Sequence, residues 1–264
     1  MTQLTDETPG EKEARRFFAE ALGLTVTRAP ASASMSADFL VNGENPGYAL
    51  EVKSRLDDVR FLKELRRGCT EVRSRSLGHD RWTEDNARRA QKQLKCADPA
   101  RERFWVLWFA VECFAATAAM FSQVIGTLYG VRQVVYWDEP TKMACGRECL
   151  FAVPGVFEKR PEIDGAIVTA RDAITLCVNE FSERAPSFQT SRLYQAFQRL
   201  GGPVRPSDLE SNHGFLSIAD RMIDRSNKET VARYLSQRYG LDDVYILDIK
   251  AHSASAIVPG SRSL

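Results

Sequence analysis

The sequence predicts an α/β fold: a central mixed sheet flanked by helices, with a mainly helical C-terminal extension. Three observations predict it. A strand–turn–strand pattern over 38–54 lies between stretches of helical periodicity. Phe104–Val111 is an unbroken apolar run, the mark of a strand covered on both faces. From about Pro186 helical periodicity takes over. With 264 residues and a hydrophobic fraction of 44%, the chain can build a real core. We expect one domain over 1–182 and a helical extension with a terminal hairpin over 183–264.

In chain order, residues 1–9 read as a disordered lead. A helix follows from Gly10 to about Leu22, with Ala14, Phe17, Phe18, Ala21 and Leu22 on one face and Gly23 as its stop. Leu24–Arg28 reads as a strand and Ala31–Ser34 as a loop of small residues. Ser36–Val41 and Tyr48–Ser54 read as strands joined by the turn signal Asn42–Gly47, hence as antiparallel neighbours. That pairing brings Asp38 beside Glu51. Helices are expected near 57–67 and 83–97, the second from Ala87, Ala90, Gln91, Leu94 and Ala97. After the strand at 104–111, residues 115–129 read as a helix of small residues. The two segments together invite a membrane-span reading, but Glu112 interrupts them, and a charge at a helix centre costs roughly 3 kcal/mol on insertion scales. Arg132–Trp137 is a further strand. Ile163–Val168 and Ala173–Asn179 form a second hairpin whose Asp164, Cys177 and Asn179 repeat the spacing of Asp38, Glu51 and Lys53. Beyond it we expect helices over Thr190–Leu200, over Phe215–Ile223, and from a capping box at Ser226–Glu229 to about Gly240. Strands at Val244–Lys250 and Ala254–Val258 close the chain.

The chemistry concentrates in the first hairpin. Side chains alternate across a strand, so Glu51 and Lys53 share one face while Leu50 and Val52 take the other. Two carboxylates and an ammonium at one spot suit Mg²⁺, a hard cation that takes one or two carboxylates, waters and a phosphate. Lys53 can hold the attacking water or stabilise a charged transition state. The same alternation also fits a solvated surface hairpin. Asp248-Ile249-Lys250 mimics the pattern but has no upstream acid at the right spacing, so we set it aside. The three histidines and six scattered cysteines offer no zinc set or nucleophilic triad, and there is no Walker loop.

In element order and motif the stretch 9–110 resembles the PD-(D/E)xK nuclease superfamily, with its restriction-endonuclease-like fold. Asp38 matches the motif Asp, Glu51 the motif acid and Lys53 the motif Lys, while Ala37 stands where the family often has Pro. The resemblance implies catalysis by Asp38, Glu51 and Lys53, with Asp38, Glu51 and the Val52 carbonyl around the metal. It also implies a Glu from the first helix near the metal. Glu13 is preferred and Glu11 is the alternative. Gln91 or Gln93 falls where some members place a Gln.

The expected function is thus a Mg²⁺-dependent nuclease, with Mn²⁺ as a substitute, acting on DNA, with RNA as the second substrate class. The alternative is a non-catalytic nucleic-acid-binding or assembly subunit with the same fold. A net charge of +1 confines any nucleic-acid surface to a local patch, and between Arg60 and Arg103 Lys and Arg outnumber Asp and Glu by 13 to 7. A homodimer or partner subunit would serve double-strand cutting. The polar, acidic N-terminus and the thiols read as reduced predict a cytoplasmic protein without signal peptide or membrane partner.

Overall fold

In the computed structural model, the described residues are 7–30, 36–57, 59–67, 71–76, 79–113, 117–171, 173–220, 222–247 and 252–257. Helix α1 (Pro9–Arg16) starts from a capping box: Thr8 Oγ accepts the Glu11 N–H, and the Glu11 carboxylate accepts the Thr8 N–H. The cap and first residue of this helix therefore fall within the expected lead, whose residues 1–6 lie outside the described residues. The helix runs on through a π-helical turn, Phe17–Ala21, and ends before Gly23, whose φ of +63° suits a residue without Cβ. Strands β1 (Thr25–Arg28), β2 (Phe39–Asn42) and β3 (Tyr48–Leu56) follow, then α2 (Val59–Arg66), β4 (Glu71–Ser76), α3 (Arg81–Ala97), β5 (Phe104–Glu112) and α4 (Thr117–Tyr129). Next come β6 (Arg132–Asp138), β7 (Met143–Leu150), α5 (Val156–Lys159), β8 (Gly165–Ala170) and β9 (Ala173–Val178). The chain continues through α6 (Ala185–Phe188), α7 (Arg192–Arg199), α8 (Pro206–His213), β10 (Leu216–Ser217), α9 (Lys228–Tyr239), β11 (Asp242–Leu247) and β12 (His252–Ile257).

The architecture is α/β, as expected. Six strands form a mixed sheet in the order β1-β2-β3-β5-β8-β9. The middle three are parallel and the outer pairings antiparallel. The apolar run is the interior strand β5, and its alternation feeds two cores. Trp105, Leu107, Phe109 and Val111 pack with Ala87, Ala90 and Leu94 of α3 and Met120 and Val124 of α4. Phe104, Val106, Trp108 and Ala110 pack with Ala14 and Phe18 on the first helical segment and with Phe188, Leu193 and Phe197. Burial on both sides explains why this strand has no polar stripe. Among the described residues no helix is long and apolar enough to cross a membrane.

The second hairpin enlarges the main sheet, but its likeness to the first is one of spacing only. Phe39 pairs with Leu50, which sets Asp38 opposite Glu51, whereas Gly165 pairs with Val178, which sets Asp164 opposite Asn179. Asp164 is fully buried and accepts the Trp105 N–H and the Ser182 hydroxyl. Asn179 donates to the carbonyl of Ile163. These are structural pins.

Strands β10-β7-β6-β11 form a second sheet, and β12 pairs with β4 in a two-stranded one. Strands β4 and β7 and helix α8 lie where no element was expected. Cys145 and Cys149 sit four residues apart on β7, a span of about 13 Å along a strand. Both are free thiols. The helix expected over Phe215–Ile223 does not form. Leu216 and Ser217 instead add to β7 in parallel, and Asp220 and Asp224 accept the N–H groups of Met222 and Ser226 in tight turns that compete with helix. The α9 cap is Asn227, whose Oδ1 accepts from Glu229 and Thr230, and the expected box at Ser226 gives way to it. The closing strands do not pair with each other as a hairpin: β11 joins β6 and β12 joins β4. The loop 31–34 and the mimic at 248–250 lie outside the described residues.

Candidate active site

The site begins with a hairpin held at both ends. At its turn, Gly47 lies so close to the Val41 carbonyl that a Cβ would sit 2.3 Å from the oxygen. The Tyr48 hydroxyl donates to Glu44 Oε2 at 2.5 Å, and Glu44 Oε1 accepts the Arg192 N–H, tying the turn to the start of α7. At the other end Asp38 precedes β2 and reaches across to β3. Asp38 Oδ2 accepts the Val52 N–H at 2.8 Å, and Glu51 Oε2 accepts the Asp38 N–H at 3.1 Å. The two acids are thus locked reciprocally, each to the other's strand. An extended residue turns its N–H and C=O to the same neighbour. The Val52 carbonyl therefore points to the edge where Asp38 lies.

Glu51 and Lys53 face α3, as alternation predicts. Lys53 Nζ donates to Glu51 Oε1 at 2.5 Å and to Gln93 Oε1 at 3.0 Å. Gln93 Nε2 donates to the Ser36 carbonyl at 3.3 Å, just ahead of Asp38. One amide from α3 therefore fixes the ammonium and the approach to the acid together. Two residues on, Arg55 pairs with Asp80, the α3 N-cap, at 2.7 Å and stacks over Trp82. This clamps the start of α3 to β3. Of the two glutamines considered, Gln93 is at the site, while Gln91 donates to Glu162.

The electrostatics are strained. Glu51 is only 1% exposed, and burial, followed by the neighbouring Asp38 charge, pushes its carboxyl up to about 8, against the pull of Lys53. Burial also raises Asp38, to about 6, with the Val52 N–H opposing and Glu11 adding to the rise.

Glu11 is the helix glutamate that meets the motif. It pairs with Arg28 at 2.8 Å, and the same guanidinium group lies 3.9 Å from Asp38 Oδ1. The preference for Glu13 is corrected. Two residues along the helix is a rotation of about 200°, so Glu13 points elsewhere. It accepts from Thr169 Oγ and lines a cleft of about 570 Å³ beyond the carboxyl ends of β3, β5 and β8, with Glu112 near by. Burial raises its carboxyl. The helix reaches the sheet because Gly10 has no side chain: a Cβ there would lie 2.4 Å from Ser54 Oγ and 2.9 Å from Ala110 Cβ. Arg28 was not singled out by sequence. Its signal is long-range, a strand cation shared by two acids.

Among the described residues no group of three or more His, Cys, Asp and Glu side chains is arranged to hold a metal ion. A Mg²⁺ site of the expected kind needs only two carboxylates, the rest coming from backbone, water and substrate. The donors here fit that demand. Asp38 and Glu51 are hard oxygen ligands held side by side, and both are raised by burial and by proximity to other acids, which a divalent cation relieves. In comparisons with known proteins, no family model, no curated protein and no solved structure matches this chain.

Proposed function

We propose that this chain is a Mg²⁺-dependent nuclease that hydrolyses phosphodiester bonds in DNA, with the restriction-endonuclease-like arrangement of the PD-(D/E)xK superfamily. The observation that carries the reading is the hydrogen-bonded set Asp38–Glu51–Lys53–Gln93, in which two locked carboxylates lie beside a positioned ammonium. Bound Mg²⁺, or Mn²⁺ in its place, acidifies a water and neutralises phosphate charge. Asp38, Glu51 and the Val52 carbonyl would hold the cation. Lys53 would orient the attacking water and stabilise the charge that builds on the phosphate, and Gln93 holds its ammonium in place. Glu11 and Arg28 tune Asp38 from the side. Hydrolysis by a positioned water needs no covalent intermediate. Cutting both strands calls for two such sites, hence a homodimer or a partner subunit. The free thiols fit a reducing cytoplasm.

The test is cleavage of supercoiled plasmid, single-stranded DNA and RNA with Mg²⁺ or Mn²⁺, comparing wild type with Lys53→Ala. Metal-dependent cutting of DNA that disappears in the variant supports the reading. Cutting confined to RNA reassigns the substrate. Equal cutting by both proteins, or DNA binding without cutting in either, refutes it and moves the chain to the non-catalytic binding subunit.

A further inference from the structure

Helix α3 carries a run from Asn86 to Ala97 without a single acidic residue and with four cations, Arg88, Arg89, Lys92 and Lys95. All four are exposed. Arg88 turns back to Asp85 at 3.0 Å, while Arg89, Lys92 and Lys95 make no ion pair among the described residues. The chain is otherwise near charge balance, with 36 Lys and Arg to 35 Asp and Glu. Some exposed cations elsewhere turn to acids, Arg15 to Glu7, Lys159 to Glu84 and Arg238 to Glu210, while Arg192, Arg199 and Arg233 stand singly on α7 and α9. The inner face of the same helix delivers Gln93 to Lys53. Arg89 lies one turn before Gln93, and Lys92, its neighbour in sequence, is turned about 100° around the helix from it. From Arg89 to Lys95 the line covers about 9 Å at the helical rise.

We infer that Arg89, Lys92 and Lys95 form the contact line for the phosphate backbone of a double-stranded DNA substrate and lead it to the Lys53 site. This rests on the nuclease reading for what happens at the end of the line, but not for the binding itself. The choice of duplex over single strand has its own basis. Single-strand grooves stack bases on exposed aromatic rings. Among the residues whose side chains are described, Tyr245 is the one markedly exposed aromatic, and it lies on β11 in the other sheet. A run of cations along one helix, fanned over about 120° of its surface and without stacking platforms, matches backbone contact, in which each neutralised phosphate adds affinity and salt sensitivity.

The experiment measures binding of a short DNA duplex and of one of its single strands across a salt series without divalent metal. It compares wild type, Lys53→Ala, the triple variant Arg89→Gln/Lys92→Gln/Lys95→Gln, and a control Arg192→Gln/Arg199→Gln/Arg233→Gln that removes as many exposed cations from α7 and α9. Glutamine keeps helix propensity, so the triple variant folds. The expected result is a duplex affinity at least about tenfold lower in the α3 variant and a salt slope shallower by about 3. The control stays close to wild type. An unchanged slope, an equal loss in the control, or a loss confined to the single strand overturns the proposal. If the α3 variant loses duplex binding while no protein cleaves in the separate assay with Mg²⁺ or Mn²⁺, the contact line stands and the nuclease reading falls. If Lys53→Ala alone abolishes cleavage while the α3 variant binds like wild type, the nuclease reading stands and the contact line falls.

Discussion

Replacing Glu51 by Gln should make the metal-free protein more stable at high pH while abolishing its activity. Glu51 is buried, and its carboxyl is raised from 4.5 to about 8 by burial and the Asp38 charge. A carboxyl raised on folding binds more protons in the folded than in the unfolded state. Stability is therefore lost as pH climbs from the unfolded value through the folded one. Between pH 5 and pH 8 that linkage amounts to about 3 kcal/mol of destabilisation in the wild type. The glutamine carries no charge, keeps an oxygen for the Asp38 N–H and leaves Lys53 its bond to Gln93. It also relieves Asp38 of a neighbouring charge. In a chain of this size 1 kcal/mol is worth about 2–4 °C of Tm. The variant should therefore gain about 6–12 °C on the wild type between pH 5 and pH 8. Thermal unfolding in chelator at both pH values reads this directly. A Glu51→Gln difference that is flat with pH, or that falls as pH rises, would refute a buried, charge-frustrated acid pair.

Four further outcomes follow from the same geometry. Saturating Mg²⁺, at about 100 times its dissociation constant, should stabilise the wild type by about 2.7 kcal/mol in thermal shift, an effect absent in Asp38→Ala. The affinity should rise between pH 6 and pH 8 as Asp38 and Glu51 lose their protons. Gln93→Leu should lower kcat at least about tenfold by freeing the Lys53 ammonium, yet cost only about 1 kcal/mol in urea unfolding, the worth of a hydrogen bond. Gly10→Ala should cost about 1–3 kcal/mol by pushing α1 off Ser54 and Ala110, visible as a lower urea midpoint.

Local signals carried much of this structure. The turn at Asn42–Gly47 and the alternation after it announced the hairpin, and with it the meeting of Asp38 and Glu51, because register follows from the turn. The unbroken run at Phe104–Val111 announced an interior strand. Residues whose role depends on distant partners were harder to read. Glu11 and Glu13 both suit a first helical turn, and only the direction in which α1 crosses the sheet separates them. Arg28 looks like any exposed strand cation until Glu11 and Asp38 close on it. The π-helical turn at Phe17–Ala21 left the sequence pattern of a plain helix intact. Phe215–Ile223 had helical spacing, yet its apolar residues went to the edge of β7, a tertiary choice that overrides propensity. Strand β7 itself, with Cys145, Gly146 and Arg147 in its middle, has too little apolar alternation to declare itself.

The cover over Phe104 and Trp108 has a consequence for synthesis. The hairpin bearing the acids is made early, but the core beneath its other face is completed by Phe188, Leu193 and Phe197, nearly a hundred residues after Phe104. On a ribosome adding about 5–20 residues each second, that cover arrives several seconds after the sheet's central strand. Until then Tyr48, Leu50 and Val52 have only Ala14 and Phe18 of the first helical segment over them, while Glu51, on the opposite face, already has α3 to pack against. A nascent chain halted before residue 188 therefore carries the acid pair and α3 on a sheet whose other face is only partly covered.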